Sequence, residues 1–182
     1  MHKIITFAIP CYNSAADMDH GITSILEGSD FAEDVEIVIV DDGSQDETAA
    51  KADEWAQRYP NIIRAVHQEN GGHGIAVLTG IREAQGTYYK VVDSDDWLDG
   101  SALATMLSIL RGFEERGMQV DLFISNYVYE KVYENKRTTI SYRGALPRKK
   151  VFTWDKIGYF RPDQNLLMHS LTYRTEVVRA AN

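Results

Sequence analysis

Two rhythms of apolar residues alternate along the first two thirds of the chain: short runs rich in β-branched side chains, and longer stretches with apolar positions three or four apart. That alternation predicts βα units feeding a parallel sheet. Ile4 to Ile9 reads as a first strand. Met18, Ile22, Ile25 and Leu26 then fall on one helical face, behind Ser14 and Asp17 at capping-box spacing. Val35 to Val40 reads as a second strand. Because Ile37, Val38, Ile39 and Val40 are continuous, it is expected to be covered on both faces. A helix from Ser44, with Glu47 at capping spacing and a stripe of Ala49, Ala52 and Ala56, stops at Pro60. Ile62 to His67 is a third strand. Gly71-Gly72-His73-Gly74 opens a helix carrying Ile75, Leu78, Ile81 and Ala84, with Gly86 as its C-cap. Tyr88 to Val92 is strand four, Ser101 caps a helix with Leu103, Met106, Leu107, Leu110 and Phe113 on one face, and Asp121 to Ser125 is strand five.

Past Ser125 the rhythm changes. Tyr127 to Tyr133 and Thr138 to Tyr142 flank a polar Glu134-Asn135-Lys136 turn, which predicts an antiparallel hairpin or meander with Tyr127, Tyr129 and Tyr133 on one face, either covered or open to stack on an acceptor sugar. Thr175 to Asn182 reads as the beginning of a helix. No repeat, low-complexity tract or Pro/Gly/Ser linker divides the 182 residues, so one domain is expected, truncated at its C-terminal end. With 44% hydrophobic and 25% charged residues it is a soluble globular composition. Nineteen Lys plus Arg against 27 Asp plus Glu give a net charge of −8, which argues against a broad nucleic-acid surface and requires any anionic ligand to be held locally. The single cysteine, Cys11, leans toward a reducing compartment, and Met1-His2-Lys3 leads into too short an apolar run for a leader or span. A cytoplasmic chain is expected.

In open α/β sheets ligands lie outside the carboxyl ends of the strands. Polar clusters stand at four such ends: Pro10-Cys11-Tyr12-Asn13, Asp41-Asp42-Gly43-Ser44, Glu69-Asn70-Gly71-Gly72-His73-Gly74, and Asp93-Ser94-Asp95-Asp96. Asp93, Asp95 and Asp96 carry most of the chemistry, because like charges 4 Å apart repel by about 4 kcal/mol at an effective dielectric near 20. A divalent cation, Mn2+ or Mg2+, is the expected neutraliser, with open positions for substrate phosphates. The alternative is a solvated acidic turn, with Asp99 as a cap for the next helix. Asp41 and Asp42 could accept from a nucleobase or a ribose, or could cap the second helix. Tyr12 could stack on a base and Asn13 bond its edge, each against a plain packing or capping role. The glycines from Gly71 can present N–H groups to an anion and His73 can touch a phosphate, although neither a dinucleotide fingerprint nor a Gly-Lys-Ser/Thr loop is present.

These clusters, in this order, resemble the family 2 glycosyltransferases of the GT-A, nucleotide-diphospho-sugar transferase fold. Ile9-Pro10-Cys11-Tyr12-Asn13 resembles the family's opening motif, Val40-Asp41-Asp42-Gly43-Ser44-Gln45-Asp46 its base-recognition turn, and Val92-Asp93-Ser94-Asp95-Asp96 its Asp-x-Asp metal motif. The resemblance implies a Rossmann-like α/β fold, with a mostly parallel sheet flanked by helices and a small antiparallel hairpin after the metal motif. It implies a nucleotide-sugar-binding half over residues 1–126 and the start of an acceptor-side half over 127–182. Pro10, Tyr12 and Asp42 would line uracil or another base, Asp93 the ribose region with Ser94 also on the donor side, and Asp95, or Asp96 beside it, would hold the metal bridging the diphosphate. Met168-His169-Ser170 followed by Tyr173-Arg174 resembles the acceptor-side loop, placing His169 and Ser170 near the transferred sugar or its acceptor; a His in a packing strand is the alternative.

The implied activity is inverting transfer from a nucleotide-sugar, UDP-linked by expectation, to a saccharide or lipid-linked acceptor in surface polysaccharide synthesis. The implied catalytic carboxylate is expected beyond Asn182, together with any membrane association. His73-Gly74 and Ala76-Val77-Leu78-Thr79-Gly80 resemble the polyprenyl-phosphate sugar transferases, whereas Trp97-Leu98-Asp99-Gly100 resembles capsule and cell-wall enzymes. A non-catalytic nucleotide-sugar-binding module is the competing reading.

Overall fold

The structure, a computed structural model, describes residues 2–28 and 34–181. Four parallel strands, β1 (Lys3–Cys11), β2 (Val35–Asp41), β3 (Ile63–His67) and β4 (Gly86–Val91), form the body of a six-stranded sheet. Two shorter strands, β5 (Leu122–Ile124) and β8 (Leu171–Arg174), complete it in the order β3-β2-β1-β4-β8-β5. The hairpin of β6 (Tyr127–Lys131) and β7 (Lys136–Ile140) is a separate two-stranded sheet.

Every residue of β1 and β2 is buried, as the unbroken apolar run of β2 requires of a strand covered on both faces. One face carries α1 (Met18–Glu27), α2 (Thr48–Arg58) and α4 (Gly100–Glu115), whose Met18, Ile22, Ile25, Ala52, Leu103, Leu107 and Leu110 pack with Ile5, Phe7, Ile9, Ile37 and Ile39. The other carries α3 (His73–Glu83) and α5 (Thr175–Ala180), with Ile81 and Val178 against Ala8, Tyr89 and Val91, and Ala76 against Val38 and Val40. The chain winds outward from β1 to β3, then returns across β1 to β4. The point of reversal lies between β1 and β4, where α/β sheets open a crevice.

Several boundaries differ from the sequence reading for local reasons. Ser44 does not start α2, because its Oγ accepts from Asn13 N at 3.0 Å within the strand-end loops. The helix begins at Thr48, whose N–H donates to Asp46 Oδ1 at 2.9 Å. Of the two caps the sequence offers for α4, Ser101 and Asp99, it is Asp99 whose side chain accepts from Ala102 N, at 2.9 Å. Gly86 is not a C-cap but the first residue of β4. A Cβ there would lie 2.6 Å from Ile5 C and Thr6 N, so a side chain cannot be fitted where the two strands meet. The hairpin tyrosines are not a covered face: Tyr129 is half exposed, and Tyr133 leaves the strand altogether in the turn.

The sequence reading missed β8, which inserts antiparallel between β4 and β5. Its direction matters, because an antiparallel neighbour brings its N-terminal end to the carboxyl end of β4. Extended by the register Tyr88↔Arg174 and Tyr89↔Tyr173, it sets His169 across from Asp93.

Candidate functional site at the carboxyl ends of the sheet

The ends of β1 and β4 are tied across the reversal point by Ser14 Oγ and Ser94 Oγ at 2.8 Å. Tyr12 stands half exposed at the lip of this crevice. Pro10 is buried in β1, opposite Val40 of β2. Cys11 is buried behind it; burial, with Asp41 beside it, pushes the thiol up to about 12, which leaves a small inert core residue. Asn13 adopts a left-handed backbone (φ 51°), and its Oδ1 accepts from Gln45 N at 2.8 Å, so its amide oxygen braces the β2 loop.

The two aspartates after β2 have internal partners. Asp41 is buried, with Oδ1 accepting from Ser44 N at 3.1 Å and Oδ2 3.1 Å from His67 Nδ1. It is therefore withdrawn from the crevice rather than facing it. Asp42, 2% exposed, accepts from Gln68 Nε2 at 2.6 Å, Gly71 N at 2.9 Å and Gly72 N at 2.8 Å. Burial alone would raise its pKa, but the donors from Gly71, Gln68 and Gly72 outweigh it and hold the carboxyl below its ordinary value. Two N–H groups that the sequence suggested for an anionic ligand are thus spent on an internal carboxylate. Gly43, at φ 70°, makes this possible: a Cβ there would meet Asn70 N at 2.8 Å, so only glycine lets the two loops close on each other.

At the end of β4 a turn closed by Asp96 N donating to Asp93 O at 2.9 Å places Ser94 and Asp95 at its two central positions. The carboxylates of Asp93 and Asp96 thereby come together, while Asp95 is exposed and outside the group. Of Asp95 and Asp96, the two the sequence leaves open as direct ligand, the turn brings Asp96 beside Asp93 and leaves Asp95 exposed. The third member is His169, on the short 3-10 turn Met168–Ser170 ahead of β8. Its Nδ1 lies 3.0 Å from Asp96 Oδ2 and 3.8 Å from Asp93 Oδ2, and one atom of each residue falls within 4.8 Å of the others. His73 Nε2 approaches Asp93 Oδ1 at 3.1 Å from the start of α3. Ser170, expected beside the acceptor, is fully buried with its hydroxyl donating to Leu167 O at 2.6 Å.

His169 Nδ1 supplies the test of whether a cation fits. It is buried, and Asp96 Oδ2 at 3.0 Å is its ion-pair partner without a well-formed hydrogen bond. Asp96 first, and Asp93 after it, raise the imidazole pKa against burial and Lys90. Two carboxylates and a buried imidazole nitrogen form a donor set that suits a divalent ion, with positions left for phosphate oxygens. Beneath the cluster Lys90 is buried in β4. Burial pulls its ammonium down to about 8 against the opposing pull of Asp96. Of the late carboxylates, Asp163 pairs with Arg161 and Glu176 with Arg174.

A mostly parallel sheet, covered by helices, with this crevice and a hairpin beyond it is an α/β fold of the GT-A type. The profile of the family described as Glycosyl transferase family 2 matches residues 6–175, and the chain belongs to that family. Among curated relatives it is 36% identical over 101 residues to the uncharacterized glycosyltransferase EpsJ of Bacillus subtilis (strain 168), covering 56% of this chain and 28% of that one. It is 30% identical over 114 residues to the minor teichoic acid biosynthesis protein GgaB of the same organism, covering 63% and 12%. The chain thus spans less than a third of the length of either relative.

Among solved structures, S. aureus TarS 1-349 in complex with UDP-GlcNAc matches 98% of this chain and 47% of its own, with a TM-score of 0.60 at 20% identity. The mannosyltransferase PcManGT from Pyrobaculum calidifontis, in complex with GDP-Man and Mn2+, matches 74% and 38%, with a TM-score of 0.57 at 24% identity. Among the described residues no helix is long and apolar enough to cross a membrane.

Proposed function

We propose that this chain is the donor-binding part of an inverting, divalent-cation-dependent glycosyltransferase. In this reading it takes a sugar from a nucleoside-diphosphate donor, UDP-linked, for a saccharide or lipid-linked acceptor in cell-wall or surface polysaccharide synthesis on the cytosolic side. Residues 1–126 form the donor half and 127–182 begin the acceptor half. The observation that carries the reading is the convergence of Asp93, Asp96 and the buried imidazole nitrogen of His169 at the carboxyl end of the sheet, where it reverses. Family membership, the UDP-GlcNAc bound to TarS and the Mn2+ beside GDP-Man in PcManGT support it.

Asp93, Asp96 and His169 would hold the cation, and Mn2+ or Mg2+ bound there supplies positive charge to the departing diphosphate. Tyr12 offers an aromatic face to the base at the lip of the crevice. The start of α3 directs its dipole and the His73 side chain to the same region, where a phosphate gains most. Asp42 contributes at one remove, by fixing the Gly71-Gly72 turn through its three hydrogen bonds. Neither Asp163 nor Glu176 is assigned the role of base.

Calorimetric titration of UDP, with GDP as comparison, in Mn2+ and again with chelator, tests this. Binding that needs Mn2+, prefers UDP and weakens at least tenfold in Asp93→Ala is the expected result. Equal or absent binding under all four conditions contradicts it.

A further inference from the structure

Lys90 is 3% exposed in the middle of the sheet, and among the described residues it forms no ion pair. An ammonium is costly to bury, and a methionine would fill similar volume without that cost. Its Nζ donates instead to two main-chain carbonyls, His169 O at 2.5 Å and Leu171 O at 3.4 Å. These bracket the turn that delivers the imidazole to Asp93 and Asp96.

The place of these bonds is informative. The β4–β8 ladder runs only through Tyr88↔Arg174 and Tyr89↔Tyr173, and beyond Tyr89 no further backbone pair joins the two strands. Lys90 is the next residue, and its side chain spans the gap that the ladder leaves. The rest of the turn is held at other atoms: Ser170 N and Oγ donate to Leu167 O, and Ser125 N donates to Ser170 O. Of these ties, only those of Lys90 reach the backbone of His169 itself.

We propose that Lys90 is a positioning residue for the cation site: by clamping the carbonyls of His169 and Leu171 it fixes the imidazole against the two carboxylates. This rests on the cation reading given under Proposed function. Outer-shell groups of this kind typically change metal affinity by roughly 10–100-fold. The effect should also depend on the ion, because Mn2+, a first-row transition ion, accepts an imidazole nitrogen more readily than Mg2+, which takes carboxylate, water and phosphate oxygens.

The test is Mn2+ and Mg2+ affinity of the whole chain, measured without donor, for Lys90→Met, His169→Ala and the double variant. Lys90→Gln serves if Lys90→Met does not fold. The expected outcome is about tenfold weaker Mn2+ binding in Lys90→Met. Mg2+ affinity should change less than about threefold. In the His169→Ala background Lys90→Met should add nothing, because the lysine acts through that side chain. A purely structural role would lower both affinities alike, and equally in both backgrounds; that result overturns the proposal. Unchanged Mn2+ affinity in Lys90→Met beside a clear loss in His169→Ala overturns it too, while sparing the cation reading. No loss in His169→Ala overturns both.

Discussion

Replacing Asp42 by Asn isolates the role of a buried carboxylate held mainly by hydrogen-bond donors. In the folded protein its two oxygens accept from Gln68 Nε2, Gly71 N and Gly72 N at 2.6–2.9 Å. Asparagine keeps one acceptor oxygen and turns an NH2 toward an N–H. The opposed donor pair costs about 2 kcal/mol, and the remaining bonds, no longer charge-assisted, lose about half their strength. A total near 3 kcal/mol follows, which for a domain of this size lowers Tm by about 6–12 °C.

The pH dependence has a definite sign. The folded pKa of Asp42 lies below the unfolded value of 3.8, so the carboxylate's contribution is complete above that value and is lost as pH falls through the folded pKa. Thermal unfolding of wild type and Asp42→Asn, followed by circular dichroism, should therefore show the full gap at pH 7 and a shrinking one below about pH 4. A gap under 2 °C at pH 7, or one that widens in acid, would refute the reasoning, since it would mean that the three hydrogen bonds contribute little.

Two further outcomes follow from the same geometry. A Cβ at Gly21 would stand 2.6 Å from the carbonyl oxygen of Asp96, so Gly21→Ala should push the Asp93–Asp96 turn aside and weaken Mn2+ binding by about tenfold, an overpacking cost of 1–3 kcal/mol being typical; unchanged affinity in calorimetry would show that the turn tolerates the shift. His67 lies between Asp41 and Asp53, at 3.1 Å from each, and the hydrogen bond to Asp41 first, then Asp53, raises its pKa above 6.5 against burial. A raised folded pKa stabilises fully below pH 6.5 and stops doing so as pH rises through the folded value, so Tm should fall across that interval and fall less in Asp53→Asn, by an amount reduced by solvent screening at this partly exposed site.

The parallel half of the fold was legible because its signals are local. The continuous apolar run of β2, the one-faced stripes of α1 and α4, and polar residues at each strand end read correctly without tertiary information. Cap positions read less well, because Ser44, Asn13 and Asp46 each accept from a different loop N–H, and only the folded packing decides which of them meets the start of the helix. The candidate site divides in the same way. Asp93 and the Tyr12 lip were foreseeable from motif and position. The pairing of Asp96 rather than Asp95 depends on one turn hydrogen bond, and the recruitment of His169 depends on a strand 80 residues away entering antiparallel. Leu171 to Arg174 is four residues long with no clear alternation, too little for periodicity to mark as a strand. The usable clue was Lys90, an ammonium in an otherwise apolar strand, which had to find carbonyls somewhere.

The central claim is that a divalent cation, held by Asp93, Asp96 and His169, meets the diphosphate of a nucleotide-sugar at this crevice. Pulsed electron paramagnetic resonance of the Mn2+-loaded protein with UDP tests it in one experiment. Nitrogen-14 coupling from a coordinated imidazole together with phosphorus-31 coupling from UDP is the predicted spectrum, with the nitrogen signal lost in His169→Ala. A manganese signal coupled to water protons alone, or a nitrogen coupling that survives His169→Ala, would contradict the account.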